Sequence, residues 1–358
     1  MEQVVTSADG VGSDWSGAPA APRADTAATV PPPRPAPALL PGAVRAVLEP
    51  VTGGAADVVT EAQRRTRRLA GAHYENFSVV SLLLPRHLRQ DFCNVYAFCR
   101  VADDLGDELA DPAASSEALA TLRRQTLACH GGVAETMLFA ALRQTIERHD
   151  IPAEPFLDLI EAFEQDQRVT RYESFSDVVE YCRRSANPVG RLVLYLCGYR
   201  DAERQRLSDE TCTALQLANF WQDVRRDLLD RNRVYLPAQD MRQFGVSESD
   251  LSDGIGAGRC SGAYARLVEF EVDRTAKMFD DGAALLPMLD ARVRGQVALY
   301  GKGGRLVLEA IRAQGYDTLA SRPALGKWRK GRLVLSALAA RLLSRRARRR
   351  ESAGRVPA

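Results

Sequence analysis

The chain has 358 residues, with 48 Lys or Arg against 46 Asp or Glu and 46% hydrophobic residues, enough to bury a sizeable core as one large domain or two smaller ones. No window reaches the roughly 18 apolar residues of a membrane span, and the start lacks the basic-then-apolar pattern of a secretory signal, so the expected location is the cytoplasm. The seven cysteines, Cys93, Cys99, Cys129, Cys182, Cys197, Cys212 and Cys260, show no paired short spacing of the zinc or redox type and are expected as buried free thiols.

Residues 1 to about 40 are rich in Ala, Pro, Gly, Ser and Thr, include Pro31-Pro32-Pro33, and carry no sustained apolar period. They predict a disordered arm, assigned to 1–55. From about 60 to 320, apolar residues recur at three and four, which predicts an all-α domain over 56–326. Breaks are expected at Pro85, Asp111-Pro112, Gly131-Gly132, Ile151-Pro152, Asn187-Pro188, Leu236-Pro237 and Gly254 to Gly258. Early in this region His73 lies in His73-Tyr74-Glu75-Asn76-Phe77, ahead of an apolar run at 79–84, and the residues leave a structural and a catalytic role both open.

The first chemistry-bearing segment is Asp103-Asp104-Leu105-Gly106-Asp107-Glu108. At 100° per residue, Tyr96, Arg100, Asp103 and Asp107 fall within roughly 60° of one another, with Phe98, Val101, Ala102, Leu105 and Leu109 on the far side. Next comes Tyr181-Cys182-Arg183-Arg184-Ser185-Ala186-Asn187-Pro188-Val189-Gly190, where a helix meets a proline and a glycine permits close backbone approach. The segment suits the wall of a lipid tunnel or a kink that relieves packing. The second cluster repeats the first, because Gln216, Asn219, Asp223 and Asp227 lie within about 80°. After it, Arg231 and Arg233 suit either bidentate contact with phosphate oxygens or surface pairing with Asp227 or Asp230.

Asp103 and Asp107 repel at i, i+4, and neither cluster contains a lysine. Carboxylates gathered in a low-dielectric cavity need a cation. The ligands are oxygens, with no histidine in either cluster, which suits a hard ion that completes its shell with water and substrate phosphate: Mg²⁺. A merely solvated face is the plain alternative. Three or more long helices around a polar-lined cavity would make a bundle site.

At the far end, residues 327–350 carry ten Lys or Arg and no acid, so the rest of the chain holds 38 basic against 46 acidic residues. Val334, Leu335, Leu338 and Leu342 recur at helical spacing there. Residues 327–358 therefore predict a basic amphipathic tail that meets an anionic membrane surface. No aromatic interleaving accompanies the arginines, so nucleic acid is not the expected partner.

These motifs resemble the squalene/phytoene synthase family across roughly residues 65 to 320. The resemblance rests on Asp103-x-x-x-Asp107 preceded by Tyr96 and Arg100, on Gln216-x-x-Asn219-x-x-x-Asp223-x-x-x-Asp227, and on Arg233-x-Tyr235-x-Pro237. The strings Glu75-Asn76-Phe77-Ser78-Val79, Ser185-Ala186-Asn187-Pro188-Val189-Gly190-Arg191 and Asn219-Phe220-Trp221-Gln222-Asp223 look most like the hydroxysqualene synthase branch of bacterial hopanoid pathways.

The resemblance implies an isoprenoid synthase helical bundle with a central cavity. It implies that presqualene diphosphate is ionised with magnesium and quenched by water to hydroxysqualene, without nicotinamide. Residue by residue, Asp103, Asp107, Asn219, Asp223 and Asp227 match the magnesium ligands, with Gln216 beside them. Arg100 and His73 match diphosphate contacts, Tyr96 and Tyr181 match aromatic positions near the reacting centre, and Phe77, Val189 and Gly190 match the tunnel wall.

Three positions depart from the family pattern: Gln222 and Glu75 replace residues that are basic in some members, and Cys212 stands where glycine is common. The first two suit an enzyme that starts from presqualene diphosphate rather than one that holds two prenyl diphosphates. The other readings are a condensing squalene or phytoene synthase and an inactive lipid-binding or assembly relative. A peripheral position on the cytoplasmic membrane face, beside neighbouring enzymes of the pathway, follows from the tail and the resemblance together.

Overall fold

A computed structural model of the protein describes residues 40–72, 85–109 and 111–324. His73, Glu75, Phe77 and the tail at 327–358 lie outside the described residues. Among the described residues the chain forms thirteen α-helices, two short 3-10 turns at Arg86–Leu88 and Ala283–Met288, and two isolated bridges rather than a sheet. The all-α expectation holds.

Part of the stretch assigned to the arm is helical. Helix α1 (Gly42–Leu48) is short, yet Val44 and Val47 are fully buried, so this stretch belongs to the packed domain despite its Ala/Pro/Gly-rich surroundings. It is followed by α2 (Ala55–Ala72), α3 (Arg89–Asp107), α4 (Pro112–His130), α5 (Met137–His149), α6 (Glu154–Asp166), α7 (Phe175–Ser185) and α8 (Asn187–Leu196). The second half runs through α9 (Ala202–Arg231), α10 (Ala238–Gln243), α11 (Glu248–Ala257), α12 (Gly262–Gly282) and α13 (Ala291–Ala313).

Local chemistry sets these boundaries. Asp111 caps α4 by accepting from the Ala113 amide at 3.0 Å, with Pro112 at the first helical position. Ser174 and Ser247 open α7 and α11 with capping boxes closed by Asp177 and Asp250. One expected break is displaced: Gly254 lies inside α11, and the helix stops at Gly258 in the left-handed region. A Cβ at Gly254 would come within 2.7 Å of Leu319 Cδ1, so that glycine serves close packing rather than a turn.

Two apolar cores result. The first gathers α3 to α6 around Phe98, whose ring meets Phe156 edge-on at 4.8 Å. The second gathers α7, α9, α12 and α13 around Trp221, whose indole N–H donates to Thr275 Oγ1 at 2.8 Å. Helix α8 packs against both α3 and α9, the two helices that carry the aspartate motifs. All seven cysteines are free thiols.

Candidate functional site

Helix α9 ends at Asn232, which adopts φ +51°, and the reversal lets the Arg233 amide donate to Asp227 O at 3.0 Å. The chain then runs alongside the loop after α6, where the Val234 amide donates to Thr170 O at 2.9 Å. That turn carries Arg231 and Arg233 to the first motif. Arg231 Nη2 lies 2.7 Å from Asp107 Oδ2, and Arg233 Nη1 lies 3.5 Å from both Asp107 Oδ1 and Asp166 Oδ2. Neither of the pairings open in the sequence, with Asp227 or Asp230, is the one formed. The arginines at the end of α9 instead reach Asp107 of the first motif, and Arg233 also meets an acid on a third helix.

Asp166 is the residue that sequence reasoning missed. It closes α6, accepts the Tyr181 hydroxyl at 2.8 Å, and receives Arg233 Nη2 on its backbone carbonyl at 3.0 Å. Burial pushes its carboxyl up to about 6 against the pull of Arg233. Gly106 permits this arrangement, since a Cβ there would stand 3.0 Å from the Phe163 ring and hold α3 away from α6. Tyr181 is buried and packs with Tyr172, Phe220 and Tyr235. Its ring therefore belongs to the aromatic core beneath the site.

The carboxylates are more paired than their sequence pattern suggests. Arg100 bridges Asp103, at 3.0 Å, and the fully buried Asp104, so the polar stripe on α3 includes a residue placed by helical geometry among apolar neighbours. Arg322, beyond α13, reaches Asp223 with Nη2 at 3.0 Å and with Nε. The premise of like charge without pairing is therefore corrected: Arg100 on the same helix pairs with Asp103, and arginines distant in sequence supply the counter-charge for Asp107 and Asp223.

Asp227 is the exception. It is 9% exposed and makes no ion pair within 4 Å among the described residues. Burial and the Asp223 charge one turn back push its carboxyl up to about 7. Desolvation and the Asp107 charge raise Asp103 to about 6 in the same way. Among the described residues no group of three or more His, Cys, Asp or Glu is gathered tightly enough to hold an ion by itself. The donors fit a cation that takes one or two carboxylates and fills its shell with water and phosphate oxygens, which is magnesium's habit.

A cavity of about 270 Å³ lies against α9. Val189 and Gly190, two of the residues matched to the tunnel wall, line it, together with Gln216, Leu215, Cys212 and Tyr300. Gly190 is where α8 and α9 touch: a Cβ there would sit 2.4 Å from Ser208 Oγ and 2.5 Å from Cys212 Sγ. Gln216 stands at the motif end of the cavity, one helical turn before the exposed Asn219 and two before Asp223. An apolar chain in the cavity would thus lead along α9 towards the acids.

Gln222 has a different place from the one its substitution pattern suggests. It is 5% exposed, donates to Pro323 O at 2.6 Å and accepts from Arg322 Nη2 at 3.1 Å. Arg322 thus brings a cation beside Gln222. Tyr96 is half-buried on α3, one turn before Arg100.

A family model described as squalene/phytoene synthase matches residues 70–329. Among solved structures, that of squalene synthase HpnC from Alicyclobacillus acidocaldarius is 46% identical, covers 74% of this chain and 99% of its own, and superposes with a TM-score of 0.68. Hydroxysqualene synthase of Rhodopseudomonas palustris is 36% identical over 59% of this chain and 70% of its own length. Phytoene synthase of Thermus thermophilus is 33% identical over 76% of this chain and 92% of its own.

Proposed function

The chain belongs to the squalene/phytoene synthase family, and from that premise we propose that it converts presqualene diphosphate to hydroxysqualene with release of diphosphate. That it is a squalene/phytoene synthase-type enzyme follows from the family. The choice of product is the finer step. It is supported by relatives named hydroxysqualene synthase, while other relatives are named phytoene synthase and the 46% identical structure is that of a squalene synthase.

The observation that carries the reading is that Arg231 and Arg233, at the end of the helix that bears the second motif, reach Asp107 of the first, with an apolar cavity along the same helix as far as Gln216. A charged end for a diphosphate thereby adjoins apolar space for its prenyl chains. Asp103, Asp107, Asn219, Asp223 and Asp227 would hold magnesium, which when bound supplies charge stabilisation to the departing diphosphate. Arg100 and Arg231, both partly exposed, offer guanidinium donors to phosphate oxygens on the same side. The carbon–oxygen bond breaks with its electron pair left on diphosphate. Leu194 and Leu215 keep bulk water from the cation, and the half-buried Tyr96 ring adds a polarisable face near Arg100. One water then forms the new carbon–oxygen bond and gives up its proton.

The basic segment 327–358 would attach the enzyme to an anionic membrane surface, where the apolar product leaves. Among the described residues no helix is long and apolar enough to cross a membrane. Incubation with magnesium and no nicotinamide, using presqualene diphosphate in one arm and farnesyl diphosphate in another, tests the product assignment by mass spectrometry. Hydroxysqualene from the first arm and no turnover in the second supports it. Condensation of farnesyl or geranylgeranyl diphosphate, with presqualene diphosphate untouched, would assign the chain to the condensing synthases.

A further inference from the structure

The segment that follows α13 comes back over the second motif and is fastened there by α9 itself. Gly315 and Tyr316, both at positive φ, turn the chain, and Gln314 Nε2 closes the turn by donating to Asp317 O and Ser321 O at 2.6 and 2.8 Å. Thr318 and Leu319 are buried, the former against the Tyr264 hydroxyl at 2.6 Å. From α9, Arg225 Nη1 donates to Leu319 O at 2.8 Å and Gln222 Nε2 donates to Pro323 O. Gln222 and Arg225, one residue before and two after Asp223, thus hold the backbone on either side of Arg322.

Arg322 itself is placed differently from its anchors. Its side chain is 53% exposed, while the Asp223 carboxylate it grips is 14% exposed. Both Asp223 oxygens are engaged by this one guanidinium. A partly exposed pair contributes little to stability, about 1 kcal/mol or less, so the contact is weak where the strap beneath it is firm. A divalent ion needs at least one of those oxygens. The neighbouring Asp227 is buried and makes no ion pair within 4 Å among the described residues.

We propose that Arg322 is an internal counter-cation, exchanged for the metal at Asp223 during each cycle, and that Gln222 is the positioning residue that keeps it within reach. The inference rests on the reading that magnesium binds at the second motif. It gives Gln222 a task distinct from diphosphate binding: its amide holds the strap's carbonyl with one end and orients the guanidinium with the other.

The test is a calorimetric titration of magnesium chloride into the full-length protein without substrate or diphosphate, paired with hydrogen exchange of the 318–324 amides. Arg322→Gln is expected to bind magnesium about fivefold more tightly, the factor that corresponds to losing such a pair. Arg322→Lys should return towards wild type. Arg226→Gln, which removes a nearby charge that does not touch Asp223, should shift affinity much less. Gln222→Ala should tighten binding and lower amide protection at 318–324, and magnesium should lower that protection in the wild type.

The inference is overturned if magnesium binds the wild type and is lost in Asp223→Asn, yet Arg322→Gln binds it no more tightly or exchange at 318–324 ignores the metal. If the wild type binds no magnesium, or Asp223→Asn binds it unchanged, the magnesium reading fails first and takes the inference with it.

Discussion

Replacing Gly190 by alanine adds one methyl group at the place where α8 and α9 come together beside the cavity. The new carbon would meet Ser208 Oγ at 2.4 Å and Cys212 Sγ at 2.5 Å, well inside van der Waals contact. Gly190 has no unusual backbone angle, so the cost comes from contact alone. Overpacking of this kind costs about 1–3 kcal/mol. Taking the middle of that range, the melting temperature should fall by roughly 3 °C for a domain of this size. Differential scanning calorimetry of purified protein measures it. In a Ser208→Ala, Cys212→Ala background both obstructing atoms are gone, and most of the loss should vanish as a coupling of 1 kcal/mol or more, on the order expected for touching residues. An equal loss in both backgrounds would refute the contact argument.

Other outcomes follow from the same site and its surroundings. Arg233→Met leaves Asp166 and Asp107 without a shared cation and should cost about 3–5 kcal/mol in urea unfolding at pH 8. The deficit should shrink near pH 5, because Asp166, already raised to about 6 by burial, then takes up a proton; an equal deficit at both values would count against it. Glu271 and Asp240 share the single guanidinium of Arg274, and burial raises Glu271 from 4.5 to about 8. The folded state therefore holds a proton that the unfolded chain has released, so stability from this group falls as pH rises from about 4.5 through 8. Glu271→Gln should flatten that slope, and an unchanged slope would show that the proton resides elsewhere. Deletion of 327–358 should weaken co-sedimentation with anionic vesicles, whereas unchanged binding would remove the membrane proposal.

What could be read from the sequence is what local chemistry decides. Asp111-Pro112 and Asn187-Pro188 mark helix starts because a proline's fixed φ, with a cap as well at Asp111, acts within a few residues. The stripe of Gln216, Asn219, Asp223 and Asp227 is legible because one helix carries it whole. The counter-charges were not legible. Arg231 and Arg233 meet Asp107 and Asp166 only because Asn232 reverses the chain and Gly106 lets α6 come close, and neither fact shows in a periodicity. Arg322 lies beyond the last helix, where no repeat marks its partner. Asp166 carried a weak signal, an acid ending a helix that is otherwise apolar on one face. Val44 and Val47 were hidden by a composition that reads as linker, although two buried valines are enough to dock a short helix.

The central claim is that the paired motifs ionise one diphosphate and that water closes the reaction. Turnover of presqualene diphosphate with magnesium in ¹⁸O-labelled water, without nicotinamide, tests it most directly. The account predicts hydroxysqualene carrying one labelled oxygen, one diphosphate released per product, and no product from Asp223→Asn. Unlabelled product, a hydrocarbon product, or undiminished turnover by Asp223→Asn would contradict it.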